Sequence, residues 1–443
     1  MATDHTAWIE KFNIFEATLN GQSSHPVHQI RKAGMAQFSE TKLPTSSDEA
    51  WKTINTSLLT KADFQLAPTY VPGDVSAEML APFVLADTIQ LVFVNGYFAK
   101  DLSHISGLPE GVRAESLADV LINNFDEVSQ HLSHKVGAEQ LTFTALNTAF
   151  LQDGAYIHIA KNTVCERPIH LLSFSKTQNE PTVAHSRNLV VTEDNSQLTL
   201  IETYAGRNDQ SYLTNCVTEF IAGDNAQIDH YKLELETLQG IHISNQHATL
   251  GRSTKITSHA FSIGGAFVRN DVSAHLAGEG CEATVNGLYL LEGRQHIDNY
   301  TLLEHAEPHC PSHELYKGIL GDASRAIFRG KIHVHQKAQH TDAYQKNENI
   351  LLSDNARVNT KPQLEIYADE VKCSHGAIVG QLDEAALFYL QARGISKAAA
   401  QHMLLQAFAD DIVDRVKIDG LRQHLEPIIR EKFDRLYQAG EIA

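Results

Sequence analysis

From Gly154 onward the chain becomes a long succession of short alternating runs broken by Gly, Asp or Asn. AYIHIAK, PIHLLSFS, SQLTLIETYAG, AQIDHYKLELE, TKITSHAFSIGG and CEATVNGLYLLEG are examples, and RAIFRGKIHVHQKA and ARVNTKPQLEIYADEV continue the pattern. Alternation with a period of two sends successive side chains to opposite faces, the mark of a strand. AGDNAQIDHY, LGRSTKITSH, AGEGCEATVNG, LGDASRAIFRG and LSDNARVNTK read as imperfect copies of one unit: a turn, a small residue, then an apolar residue directed inward. No helical pattern interrupts them. One turn-plus-strand unit repeated over such a length is expected to coil into a β-solenoid rather than a sandwich, each rung burying its inward residues against its neighbours.

The flanks read differently. Residues 1–152 are expected to form a mostly helical region. Val27–Glu40 carries Ile30, Met35 and Phe38 at helical spacing, and further helical stretches lie around Asn124–Leu132 and Ala138–Leu151. Within it, IQLVFVNGYFAKDL alternates around Asn95-Gly96, a compact hairpin signal. The solenoid is assigned to 153–382 and a C-terminal helical region to 383–443. There Asp383 caps EAALFYLQAR, which stops at Arg393-Gly394, and Ser396 caps KAAAQHMLLQAFADDIVDRV. Leu404, Phe408, Ile412 and Val416 line one face of that second helix, and a third runs from about Leu421 or Pro427 to Tyr437. Such terminal helices either cap the open end of a stack or dock a partner.

Composition narrows the function. A formal charge of −18 argues against nucleic acid, whose binding rests on Lys and Arg. No apolar run approaches the roughly 18–20 residues of a membrane span, and MATDHTAWIEKF has neither the basic nor the apolar segment of an export signal, so a cytoplasmic location is expected. The five cysteines, Cys165, Cys216, Cys281, Cys310 and Cys373, are scattered without a CxxC pair, so free thiols are expected. Neither a GxxxxGK[ST] phosphate loop nor a GxSxG elbow is present.

The segment VKCSHGAIVGQLDE is the chemically richest. On a strand, Cys373 and His375 share one face with Ser374 on the other, so a thiolate and an imidazole can meet one metal or one substrate. Two donors are too few for a closed structural zinc site, which takes four; a site completed by another chain makes better chemical sense. Packing of Cys373, with His375 bonded to a backbone carbonyl, is the plainer alternative. His333 and His335, with His340 beyond, repeat the same-face arrangement, and exposed edge histidines account for it equally well.

Continuing through VKCSHGAIVGQLDEAALFYLQARGIS, the sequence resembles the C-terminal signature of the SufB/SufD family of iron–sulfur cluster assembly scaffolds. The likeness extends through RAIFRGKIHV, AQHTDAYQKNENILLS and KPQLEIYADEVKCSHG, and to DEAWKTIN near the N-terminus, so it covers nearly the whole chain. SufB-like chains carry a scaffold cysteine in a stretch similar to GDKCGAH, and acidic residues flank a histidine at the later signature. Here the first stretch is LSDNARVNTKP, with Ala356 or a neighbour in that place, and the second is Cys373-Ser374-His375. Both departures put the chain on the SufD side.

That resemblance implies a right-handed parallel β-helix between helical regions, and a scaffold subunit rather than an enzyme. It implies pairing with SufB, β-helix to β-helix, and docking of the SufC ATPase on the C-terminal helices from Asp383 to Val416. It also implies that His375 first, and Cys373 second, are ligands to iron or a nascent cluster shared with SufB; soft thiolate and borderline imidazole suit that chemistry. No cofactor is then expected to be held stably by this chain alone. Neither residues nor resemblance decides whether a flavin joins the complex or whether the isolated chain forms a homodimer. A SufB-like scaffold holding the cluster by itself, and a β-helix enzyme acting on carbohydrate, are the competing readings.

Overall fold

A computed structural model describes residues 5–19, 24–41, 43–45, 48, 51, 54, 56–60, 62–132, 141–176, 180–207 and 211–440. Its body is a parallel β-solenoid in which consecutive strands alternate between two ten-stranded sheets. Thr182–Thr192, Tyr212–Ala222, Gly240–Leu250, Phe267–Leu276, His296–His305, Arg325–Val334 and Arg357–Ile366 lie side by side in the first sheet. Gln197–Gly206, Gln227–Leu235, Lys255–Ser262, Glu282–Leu291, Pro311–Leu320, Thr341–Leu351 and Val371–Gly380 do so in the second. Every strand is thus one rung removed from its hydrogen-bonded neighbour, as the recurring turn-plus-strand unit requires. Inward positions such as Ile228, Ile256, Ala283 and Leu200 from one sheet meet Phe220, Ala248, Leu276 and Ile332 from the other in one continuous core.

The recurring segments belong to two different corners. AGDN, LGRS and AGEG turn from the first sheet into the second, whereas LGDA and LSDN turn back. At the first kind of corner one residue per rung has positive φ: Asn162, Asn195, Asn225, Ser253, Gly280, His309 and His340. In each, the N–H donates to a carbonyl in the corner of the following rung, as from Asn195 to Asp224 and from His309 to Gln339. Asparagine suits this position because its short polar side chain tolerates the left-handed region. It also stacks: Asn225 Nδ2 donates to Asn195 Oδ1, and Asn195 Nδ2 to Asn162 Oδ1, both at 2.9 Å. His309 and His340 continue the column as stacked rings 4.7 Å apart.

The sheets start earlier in the chain than the repeats do. Ile89–Val94 pairs with Ile169–Ser175 in the second sheet and folds back through a hairpin to Tyr97–Phe98, with Asn95 and Gly96 both at positive φ as their sequence signals. Val112–Ser116 pairs antiparallel with Ala155–Ile159. These antiparallel strands close the N-terminal end. Helices His5–Thr18, Pro26–Glu40 and Leu141–Ala149 cover the outer face of the first sheet, packing Trp8, Phe12, Phe38 and Leu146 on Leu213, Ile243 and Phe267. Gly34 permits the contact of two of these helices, since a Cβ there would lie 2.7 Å from Ala149 N.

The C-terminal helices do not cap the stack. Lys397–Val413 and Asp419–Gly440 lie along the outer face of the second sheet, where Leu405, Ile412, Leu425 and Phe433 bury against Leu233, Phe261 and Leu290. Asp383 accepts from Ala385 N and Ala386 N, Ser396 accepts from Ala399 N, and Gly394 has φ +89, as the capping pattern predicts. Glu384–Ala392 has no buried residue.

Candidate functional site

The last rung is where the solenoid is left open. Arg357–Ile366 and Val371–Gly380 each pair on one side only. Their residues alternate between partly covered and exposed, whereas the inward positions of the preceding strand, Thr341–Leu351, are buried. Around this end Ile366, Tyr367, Ile378, Val379, Phe388 and Tyr389 stand exposed, Phe388 by 72%. An uncovered rung with unpaired strand edges is a template for another chain, and Lys361, Pro362 and Lys372 are the kind of residues that discourage indiscriminate pairing there.

Cys373 and His375 both lie on this rung. Cys373 is in register with Ala343 and His375 with Gln345, which are buried interior residues, whereas Ser374 is in register with exposed Tyr344. The two donors therefore share the interior-directed side, as alternation requires. Cys373 is half-buried against the apolar core, and that burial, with Asp342 adding to it, pushes its thiol upward against the opposing backbone hydrogen bond at Ala343. Within this chain it is held as a thiol, not activated as a thiolate. His375 is exposed and, among the described residues, makes no hydrogen bond or ion pair, so the bond to a backbone carbonyl considered as the packing alternative is not present. Among the described residues no three His, Cys, Asp or Glu side chains are gathered to hold a metal ion.

The other histidines singled out by the sequence are engaged on the outer face and corner. His335 Nε2 and His275 Nδ1 each lie 2.8 Å from one oxygen of Glu304, whose carboxyl those two bonds hold down at about 2. His333 Nδ1 is 3.1 Å from Glu365, which Lys331 also pairs. His340 stacks on His309 and lies 3.4 Å from Glu370. The structure thus separates these residues from Cys373 and His375.

What the sequence reading missed is the polar half of the solenoid interior. Lys232 Nζ, nearly sealed from solvent, sits 2.8 Å from Glu234 Oε1, donates to Ser244 Oγ at 2.6 Å and Asn270 Oδ1 at 2.8 Å, and lies 2.9 Å from His242 Nε2. Cys216 Sγ lies 3.6 Å from the same imidazole nitrogen. Farther along, Asn347 Nδ2 donates to Tyr289 Oη at 3.1 Å, and Asn349 Nδ2 to Asn347 Oδ1 at 2.8 Å. Glu314 Oε2 accepts from Gln345 Nε2 at 2.8 Å, and burial pushes the Glu314 carboxyl up to about 7. Glu314, Gln345 and His375 occupy one position in three successive rungs, so this buried column ends at the open rung. The signal was present in AQIDHYKLELE: His230, Lys232 and Glu234 share the phase of Ile228, which points inward.

Comparison with known proteins gives the site a context. Residues 174–408 match the family described as SUF system FeS cluster assembly, SufBD core domain, and residues 2–171 match the SufBD protein N-terminal region. The chain is 33% identical over 416 residues to the iron–sulfur cluster assembly protein SufD of Escherichia coli strain K12, covering 93% of each chain. It is 32% identical over 426 residues to an iron–sulfur cluster assembly SufBD family protein of Synechocystis sp., covering 94% of this chain and 93% of the relative. SufD of Bacillus subtilis is 26% identical over 299 residues, covering 67% of this chain and 68% of the relative.

Proposed function

The chain belongs to the SufBD family of the SUF iron–sulfur cluster assembly system, and from that membership we propose that it is a scaffold subunit with no catalysis of its own. It pairs through its open rung with a SufB subunit of the same fold, and His375 and Cys373 join donors from that subunit to hold iron or a nascent cluster as transient cargo. The observation that carries this reading is the uncapped last rung. It combines unpaired strand edges, exposed apolar residues and a free imidazole in one place, while antiparallel strands close the opposite end. Two donors on one chain form half of a coordination shell, and a facing subunit supplies the rest.

The helices from Asp383 to Val416 are the proposed SufC seat. Exposed Phe388, Tyr389 and Met403 support this, because they lie on helices whose other face is what holds them to the solenoid or, for Glu384–Ala392, on a helix that buries nothing. ATP-driven approach of two SufC subunits would bias the SufB contact and so the shared site. Co-purification from cells expressing this chain with SufB and SufC tests the pairing. Ile378→Arg puts a charge in the exposed apolar end and is expected to abolish recovery of SufB while SufC is retained. Undiminished recovery of SufB would place the interface elsewhere.

A further inference from the structure

Away from the open rung, a cleft of about 340 Å³ lies among helices His5–Thr18, Pro26–Glu40 and Leu117–Asn123. We propose that it binds a small amphipathic carboxylate, with Arg31 as counter-ion to the head group and the helix side chains enclosing a short apolar tail. The size is at the lower end of the range of small-molecule sites, about 300–1,000 Å³. Nothing in the scaffold reading uses this cleft, and the proposal stands independently of it.

Arg31 carries the argument. Its residue is only 4% exposed, on the inner side of Pro26–Glu40, and it lines the cleft. Its Nε donates to Leu151 O at 2.7 Å, and the guanidinium lies 5.6 Å from the Phe15 ring. The buried Nη1 has no hydrogen-bond partner, and among the described residues no carboxylate pairs with the group. A guanidinium has five N–H donors and cannot shed its charge, so a single carbonyl leaves most of its hydrogen-bonding capacity unused. Burial alone, with no acid to oppose it, lowers Arg31 to about 10. A buried cation without a counter-ion is costly, and the natural completion is an anion that arrives from outside.

The one acid among the described residues of the wall, Asp153, is already committed. Its carboxylate accepts from Phe98 N, Ser116 Oγ and Gly154 N at 2.8 Å each and from Ala118 N at 3.2 Å. Arg31 is the single cationic residue among the described residues lining the cleft, which matches a singly charged carboxylate better than a phosphate. Leu19, Val27, Leu121 and Ile122 supply an apolar wall, and Tyr97 and Gln152, hydrogen-bonded to each other, add polar atoms at one side. A short aliphatic or aromatic acid satisfies charge and wall together; acetate satisfies only the first and an alcohol of equal length only the second.

Isothermal titration of the full chain with octanoate, 1-octanol and acetate tests this. Octanoate is expected to saturate one site and to raise the melting temperature, whereas the other two at equal concentration do neither. Arg31→Met should weaken octanoate at least tenfold. Because that change also removes the bond to Leu151 O, Ile122→Trp provides a second test: it fills the cleft from a half-exposed position and should block octanoate while the chain stays folded. Equal binding of octanol and octanoate, no saturable octanoate binding by the wild type, or full octanoate affinity in a folded Ile122→Trp chain would each overturn the proposal.

Discussion

Glu314→Gln tests whether the polar interior is held against an energetic gradient. Glu314 is wholly buried, and its carboxyl is raised from the ordinary 4.5 to about 7 by burial, with the hydrogen bond from Gln345 opposing. The folded chain therefore keeps this proton up to about pH 7, while the unfolded chain releases it near 4.5. Between those values the native state binds more protons, so the group's contribution to stability falls as pH rises and levels off above about pH 8. At 1.36 kcal/mol for each tenfold change in protonation, the full loss is about 3 kcal/mol. Glutamine keeps the acceptor for Gln345 Nε2 and has nothing to ionise. Denaturant titrations of wild type and variant at pH 5.0 and 8.5 read the difference. The variant is expected to match the wild type at the lower pH and to exceed it by about 3 kcal/mol at the higher. A difference independent of pH, or a wild type favoured at pH 8.5, would show that Glu314 is ionised in the folded chain and that the interior is wetter than its burial implies.

Three further outcomes are expected. Asn225→Ala loses a side chain suited to φ +59 and its bond to Asn195, so denaturant unfolding should register about 1–2 kcal/mol of destabilisation, whereas Asn225→Gly should lose less. Lys232→Met removes the nearer of the two cations beside Glu234, leaving His242 at 3.4 Å, and should cost about 1–3 kcal/mol at pH 7; the double change Lys232→Met with Glu234→Leu should recover part of it. Phe433→Ala empties a buried site between the last helix and the second sheet, costing about 3–5 kcal/mol, and hydrogen exchange should show residues 419–436 opening first.

The solenoid was legible because its period is enforced twice, by alternation along each strand and by the corner residues. Asn225 and the AGDN motif around it are tied to a positive-φ position that recurs in seven successive corners, from Asn162 to His340, so the signal survives sequence drift. The two corners blurred into one unit because both call for Gly, Asp and Asn, and only the sheet register tells LGDA from AGDN. The placement of Cys373 and His375 on one side followed from alternation alone. Whether that side faced a neighbour or open space depended on the rung's being the last one, which local sequence does not mark. Lys232 and Glu234 were overlooked for the opposite reason: the inward phase was assumed apolar, although both share the phase of Ile228, and the register sets Lys232 beside Glu202 of the neighbouring strand. The C-terminal helices were correctly punctuated by Asp383, Ser396 and Gly394, but their seat on the flank rather than the end rests on contacts with Phe261 and Leu290, far away in sequence.

The central claim is that the open rung carries half of a shared site, and the most direct measurement is cluster assembly with His375→Ala. Cells expressing this chain with SufB and SufC, in wild-type and variant form, would be compared for recovered complex, bound iron and sulfide, and maturation of a downstream iron–sulfur enzyme. His375 is exposed and unbonded among the described residues, so its removal should leave the complex intact. The account predicts normal co-purification with a collapse of iron, sulfide and enzyme maturation. Unchanged cluster content in an intact complex would contradict it, and would leave the rung as a contact surface without a ligand.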